Sequence, residues 1–137
     1  MDIYSKRTWA QIDLDAAAHN FKEIRRYVGN RSMVCCVIKA DAYGHGAVRM
    51  AEEYEALGAD WLALSNIEEA LQVRRAGIKL PLLVLGYTPA EAADVLAEND
   101  IAQCAYSAEY CAALSENAVK SGVKVKIHVK VDTGMSR

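Results

Sequence analysis

Two hydrophobic periods alternate along this chain. From Asp13 onward, Leu14, Ala17, Phe21, Ile24 and Val28 recur at helical spacing, and Gly29 follows as a stop. The next run, "MVCCVI", is short and apolar and reads as a buried strand. Residues 47–57 return to helical spacing and Gly58 ends them, after which "WLAL" is extended. Ser65 and Glu68 have the spacing of a capping box ahead of "NIEEALQVRRAG", which closes at Gly77. "LPLLVLG" is a third strand. Thr88, Pro89 and Glu91 then predict a cap, a proline at the first helical position and a capping-box glutamate. "IAQCAYS" is a fourth strand, Ser107 caps a helix that ends by Gly122, and "VKVKIHVKVDTG" is a fifth strand.

Strands are therefore expected near 33–39, 61–65, 81–86, 101–106 and 124–132, with helices between them. A repeat of about 20 to 25 residues is the rhythm of βα units, which build a parallel sheet. In the last strand Val125, Ile127, Val129 and Val131 share one face, and Lys126, His128, Lys130 and Asp132 the other. A barrel strand with a polar interior and a solvated edge strand both produce that alternation. The fold class expected is α/β, a partial (β/α)8 TIM barrel of about five parallel strands. A complete barrel takes roughly 250 residues. Residues 1–137 thus read as an incomplete N-terminal barrel domain, a piece of something longer. Its uncovered edges invite self-association.

Composition narrows the function classes. Sixteen Lys+Arg against eighteen Asp+Glu give a net charge of −2 with no basic patch, which argues against nucleic acid. No apolar run approaches membrane-spanning length, and "MDIYSKRTWAQID" has no signal-peptide core, so a cytoplasmic protein is expected. Cys35, Cys36, Cys104 and Cys111 show no CxxC spacing. They support no metal site and read as small buried residues in a reducing compartment.

The stretch "VIKADAYGHG" stands apart. Lys39 closes an apolar strand, where α/β folds gather their sites. Asp41 reads as a loop residue that binds nearby backbone N–H groups. Gly44 and Gly46 permit a positive φ or a close backbone approach. The helix starting near Ala47 would aim its N-terminus at this loop, which favours an anion such as phosphate. A lysine desolvated by an apolar run can serve as an amine nucleophile toward an aldehyde. An ordinary lysine snorkelling to solvent beside a tight turn fits the same residues.

The same stretch resembles the pyridoxal-phosphate attachment signature of alanine racemases. "RTWAQIDLDAAAHNF" is similar to that family's opening strand and first helix, "LPLLVLG" to its third barrel strand, and "HVKVDTGMSR" to its next motif. Gln11 stands where an acidic residue is common and Ser136 where glycine is common. The resemblance implies pyridoxal 5'-phosphate held on Lys39 as an aldimine, with Lys39 also one of two acid–base groups. It implies that Tyr43 meets the cofactor phosphate and Leu85 packs on the ring. Arg137 would bond the phenolic oxygen and place the substrate carboxylate. Lys130 would orient Arg137, as a carbamate in many members. His128, His45, His19 and Asn20 receive no role.

By the same resemblance the reaction is interconversion of L- and D-alanine, the D-alanine serving peptidoglycan synthesis. The working form would be a homodimer, whose partner subunit supplies the opposite-face tyrosine from a C-terminal β domain. No position here matches that tyrosine, so this chain by itself is expected to lack activity and to bind the cofactor weakly. A non-catalytic cofactor-carrying barrel, a serine racemase-type homologue and a plain α/β interaction domain remain open. Amino-acid decarboxylases share the barrel type, but "KADAYGHG" is closer to the racemases.

Overall fold

A computed structural model describes residues 8–136. Five strands form one sheet in the order β1-β2-β3-β4-β5, every pair parallel. They are β1 (Cys35–Val37), β2 (Trp61–Leu64), β3 (Leu82–Val84), β4 (Ile101–Ala105) and β5 (Ile127–Val129). Each lies inside its expected span, and all five are shorter. The first stops two residues before Lys39, which belongs to the following turn and not to the strand. Helix α1 (Leu14–Val28) precedes the sheet. α2 (Lys39–Gly44) and α3 (Ala47–Ala56) lie between β1 and β2, and α4 (Ile67–Arg75) between β2 and β3. A 3-10 turn (Ala90–Ala92) and α5 (Ala93–Glu98) follow β3, and α6 (Ala108–Ser121) follows β4.

The helices cover one face of the sheet. Leu62, Leu64, Leu82, Val84 and Ile101 point into that layer against Ala51, Ala70, Val73, Ala93, Leu96 and Leu114. Ala63, Leu83, Ala102 and Cys104, with Trp61 and Leu85 beside them, form a second cluster on the opposite face. The sheet curls around this second face. Trp61 on β2 and His128 on β5 meet edge to face, with ring centroids 5.0 Å apart. On a flat sheet, strands three places apart are about 14 Å from each other. The polar face of β5 is therefore interior to a curved sheet, which decides between its two sequence readings in favour of the barrel. The cysteine expectation fails in part. Cys104 is buried and none is disulfide-bonded, but Cys35 is exposed. Cys36 packs into the helix layer, so alternation turns Cys35 to the concave side at the open first strand.

Caps fix the helix starts, with two departures from the sequence reading. Ser107 caps α6 by accepting from the Tyr110 N–H, as expected. The cap of α4 is Asn66 and not Ser65, because the Asn66 side chain accepts from the Glu69 N–H at 2.9 Å. Pro89 precedes a 3-10 turn without a side-chain cap, and the Thr88 hydroxyl is buried with no partner.

Candidate functional site at the carboxyl rim

Each parallel strand delivers its carboxyl end to one rim of the sheet, where βα loops carry chemistry. The loop after β1 has an unusual backbone. Ile38 still extends the ladder, its N–H donating to the Ala63 carbonyl at 2.9 Å. Ala40, Asp41, Ala42 and Tyr43 then all take left-handed conformations, with φ of 50 to 55°. Residues other than glycine visit this region singly, at about 1–2 kcal/mol each. Four in a row persist only where surrounding contacts over-determine them. Gly44 and Gly46 also have positive φ, and a Cβ at either would meet nothing. Conformation, not close approach, is what these glycines supply.

Three kinds of contact hold the turn. Ala42 is buried in the helix layer, and its N–H donates to the Ile38 carbonyl at 2.9 Å. Asp41 Oδ1 accepts from the Ala47 N–H at 2.7 Å, so it caps α3 from the turn. The N-terminus of α3, favourable to phosphate on the sequence alone, already has a carboxylate there. Finally, Glu69 Oε1 on α4 accepts from the Ala40 N–H at 2.9 Å.

Glu69 does more than hold Ala40. Its other oxygen, Oε2, accepts from the Ser65 N–H at 2.9 Å and the Ser65 hydroxyl at 2.8 Å. Desolvation disfavours its charge. The Ser65 and Ala40 hydrogen bonds and the nearby Lys39 charge outweigh that and hold its carboxyl below the usual glutamate range. Sequence reasoning overlooked this residue because it set the capping box one position early. The frame Asn66 to Glu69 in "SNIEEA" carried the signal.

The rim continues into β3 and β4. The Leu85 N–H donates to the Leu64 carbonyl at 2.9 Å, and the half-buried Leu85 side chain joins the concave cluster. A Cβ on Gly86 would stand 2.4 Å from the Ser65 carbonyl oxygen, so only glycine fits beside that loop. Gln103 Nε2 donates to the Gly86 carbonyl at 2.7 Å.

Lys39 is half-buried at the head of the strained turn. Tyr43 lies on the same turn, 62% exposed. Lys130 follows β5, its N–H donating to the Ala105 carbonyl at 2.8 Å. With Tyr106, Asp132, Thr133 and Met135 it lines a cavity of about 460 Å³. Burial pushes the Cys104 thiol up, and the Lys130 charge partly opposes that. Asp132 accepts from the Gly134 and Ser136 N–H groups, both at 2.9 Å, and orders the loop after β5. Arg137 lies outside the described residues. Lys39, Tyr43, Leu85 and Lys130 thus all occur at carboxyl ends of strands, within the loops that follow β1, β3 and β5.

Comparison with known proteins bears on the family and the fold. The family model "Alanine racemase, N-terminal domain" matches residues 12–137. The alanine racemase of Desulfovibrio desulfuricans is 47% identical over the whole of this chain, which covers 37% of that relative. The solved alanine racemase of Clostridium difficile 630 superposes with a TM-score of 0.91 at 42% identity, over 97% of this chain and 35% of that one. A solved histidine racemase from Leuconostoc mesenteroides has a TM-score of 0.83 at 31% identity, over 90% of this chain and 33% of that one. The chain spans little more than a third of the length of the curated relatives it matches. A parallel βα sheet curled toward a barrel and a family match over nearly its whole length lead to one conclusion: this chain belongs to the alanine racemase N-terminal domain family.

Proposed function

We propose that the chain is the N-terminal barrel part of a pyridoxal-phosphate-dependent alanine racemase, with Lys39 the residue that binds the cofactor. The observation that carries this reading is the strained left-handed turn, which Lys39 heads at the catalytic rim of the fold. The donor set fits the group. Lys39 offers a primary amine to an aldehyde, Leu85 an apolar wall to a flat ring, and Tyr43 an exposed hydroxyl to a phosphate. Asp41 already takes the Ala47 N–H at the α3 N-terminus, which supports Tyr43 over that terminus as the phosphate contact. When bound, the cofactor withdraws electrons from the substrate and so acidifies its Cα–H bond.

The chain's own residues would then divide the work. Lys39 Nζ moves a proton on one face of the substrate, as general acid–base catalysis requires. Arg137 places the substrate carboxylate, and Lys130 orients Arg137. The second acid–base group belongs to a partner subunit, in the length of the relatives that this chain does not match. The working form is on this reading a cytoplasmic homodimer that makes D-alanine for peptidoglycan. No helix among the described residues is long and apolar enough to cross a membrane. The likeness to the Leuconostoc mesenteroides histidine racemase favours one further reading, a different amino-acid substrate on the same barrel part.

The test is to mix the protein with pyridoxal 5'-phosphate, reduce with borohydride and map the labelled peptide. Label on Lys39 is expected, and label on Lys130 instead would overturn the assignment. The 137-residue polypeptide alone, given L-alanine and cofactor, should form no more D-alanine than its Lys39→Ala variant. It should also self-associate, since Val37, Val129 and Val131 at the two outer strands are exposed. A strict monomer at high concentration in light scattering would contradict that.

A further inference from the structure

We propose that Glu69 is the positioning residue for Lys39, clamping the left-handed turn that Lys39 begins to the loop after β2. The inference rests on the reading of Lys39 as the cofactor lysine and goes beyond it. Its ground is geometric. One carboxylate spans two βα loops 25 residues apart in the chain, Oε1 on Ala40 and Oε2 on Ser65. The Ala40 N–H belongs to the residue directly after Lys39, so this bond fixes where the lysine's backbone leaves the sheet. The clamp is itself anchored. Asn66 caps α4 through the Glu69 N–H, which sets the residue in the first helical turn. The Ser65 carbonyl is wedged against Gly86, and Gly86 is bonded to Gln103. A continuous brace therefore runs from the β1 loop to β4, with Glu69 the only side chain in it that touches the strained turn from another βα unit among the hydrogen bonds described.

The physical need is clear. Left-handed backbone is unfavourable at each of these four non-glycine residues. A backbone under that strain relaxes unless its N–H groups are fixed from outside. A bond to a charged acceptor is roughly twice as strong as a neutral one. Glutamine at position 69 keeps the length and shape but replaces one accepting oxygen with a donor. It can then satisfy Ala40 or Ser65, not both.

The experiment has two readouts on the full chain. The first needs no cofactor: amide exchange by mass spectrometry over residues 37–47 and 62–69. The second is borohydride trapping with pyridoxal 5'-phosphate, read as the fraction of label on Lys39. Wild type, Glu69→Gln and Ser65→Ala are compared, with denaturant curves to confirm folding. Glu69→Gln is expected to speed exchange in both segments at least tenfold and to lower the Lys39 fraction about fivefold. Ser65→Ala keeps the charge and the Ser65 N–H, so smaller changes of the same sign are expected. If Glu69→Gln unfolds, Ser65→Ala decides, and unchanged exchange and labelling there would overturn the proposal. Unchanged exchange in a folded Glu69→Gln overturns the clamp. Faster exchange with an unchanged Lys39 fraction overturns the positioning role. Wild-type label away from Lys39 overturns the cofactor reading and with it the positioning of a cofactor lysine, while exchange still reports on the clamp alone.

Discussion

The two rims of this sheet are stapled differently, by carboxylates at the carboxyl rim and by guanidinium groups together with the carboxylates Glu55 and Asp60 at the amino rim. At the carboxyl rim, Asp41, Glu69 and Asp132 accept from backbone N–H groups of the loops after β1, β2 and β5. At the amino rim, guanidinium groups donate to carbonyls. Arg74 reaches four of them, on Ile78, Leu80, Asn99 and Asp100, at 2.6 to 3.1 Å. Arg25 reaches the Gly58 carbonyl and the Asp60 carboxylate, and Asp60 accepts from the Val34 N–H. Parallel βα units point every helix N-terminus to one rim and every C-terminus to the other. Carboxylates therefore suit the first and cations the second. The difference in use matters more than the difference in sign. Arg74 and Arg25 tie ordinary loops together, whereas Asp41 and Glu69 hold a backbone that would otherwise relax. One rim is stapled for stability and the other is stapled in a strained shape.

That contrast is sharpest where stability and reactivity separate. The largest stability loss is expected for Arg74→Met, which leaves four carbonyls without their donor. Burial already disfavours this guanidinium's charge, so the loss is offset in part. Denaturant unfolding should show about 3 kcal/mol of destabilisation. Lys39 labelling should change little in the folded fraction. Gly86→Ala comes next. Its Cβ would collide with the Ser65 carbonyl oxygen, and overpacking of this kind costs about 2 kcal/mol. Unlike Arg74→Met, it should also speed exchange at Ala40, because displacement of Ser65 disturbs Glu69.

Acid should weaken both rims over a shared range. The hydrogen bonds from Arg25 and Val34 outweigh desolvation to hold Asp60 below its ordinary value, and Glu69 is held down likewise. A carboxyl with a depressed folded pKa contributes stability above its unfolded value and loses it as pH falls through the folded value. Stability should therefore be level near neutrality and fall below about pH 4. Glu69→Gln should flatten part of that fall in an acid titration followed by circular dichroism. A curve identical to wild type would remove Glu69 from it. The smallest effect is expected for Arg26→Ala. Arg26 pairs with Glu23 one helical turn away, at 2.8 Å on the exposed face of α1. Loss of such a pair should change stability by no more than about 0.5 kcal/mol.

How much of this the chain itself announced differs by level. Periodicity located all five strands and the major helices, because burial of one face imposes a period of 2 or 3.6 whatever the neighbours are. The glycine stops at Gly29, Gly58, Gly77 and Gly122 all carry positive φ. Capping was less legible. Ser65 and Asn66 are adjacent and both suit a cap, and local sequence does not say which one enters the β conformation that a cap needs.

The sequence by itself determined the element order, the parallel class of the sheet, and Lys39 as the residue to watch. The elements and the strand end at Lys39 follow from local patterns and the parallel class from the repeat of about 20 to 25 residues, which local sterics and hydrophobic burial translate directly. Only the tertiary structure decided which way β5 faces, since both readings share one alternation and only the Trp61 contact with His128 separates them. It alone revealed that the turn after Lys39 is left-handed, for "KADAY" contains no glycine to announce it. The residue that compensates for this strain, Glu69, lies 30 positions after Lys39 on another βα unit. Its value depends on a distance across the rim, and no local pattern encodes that.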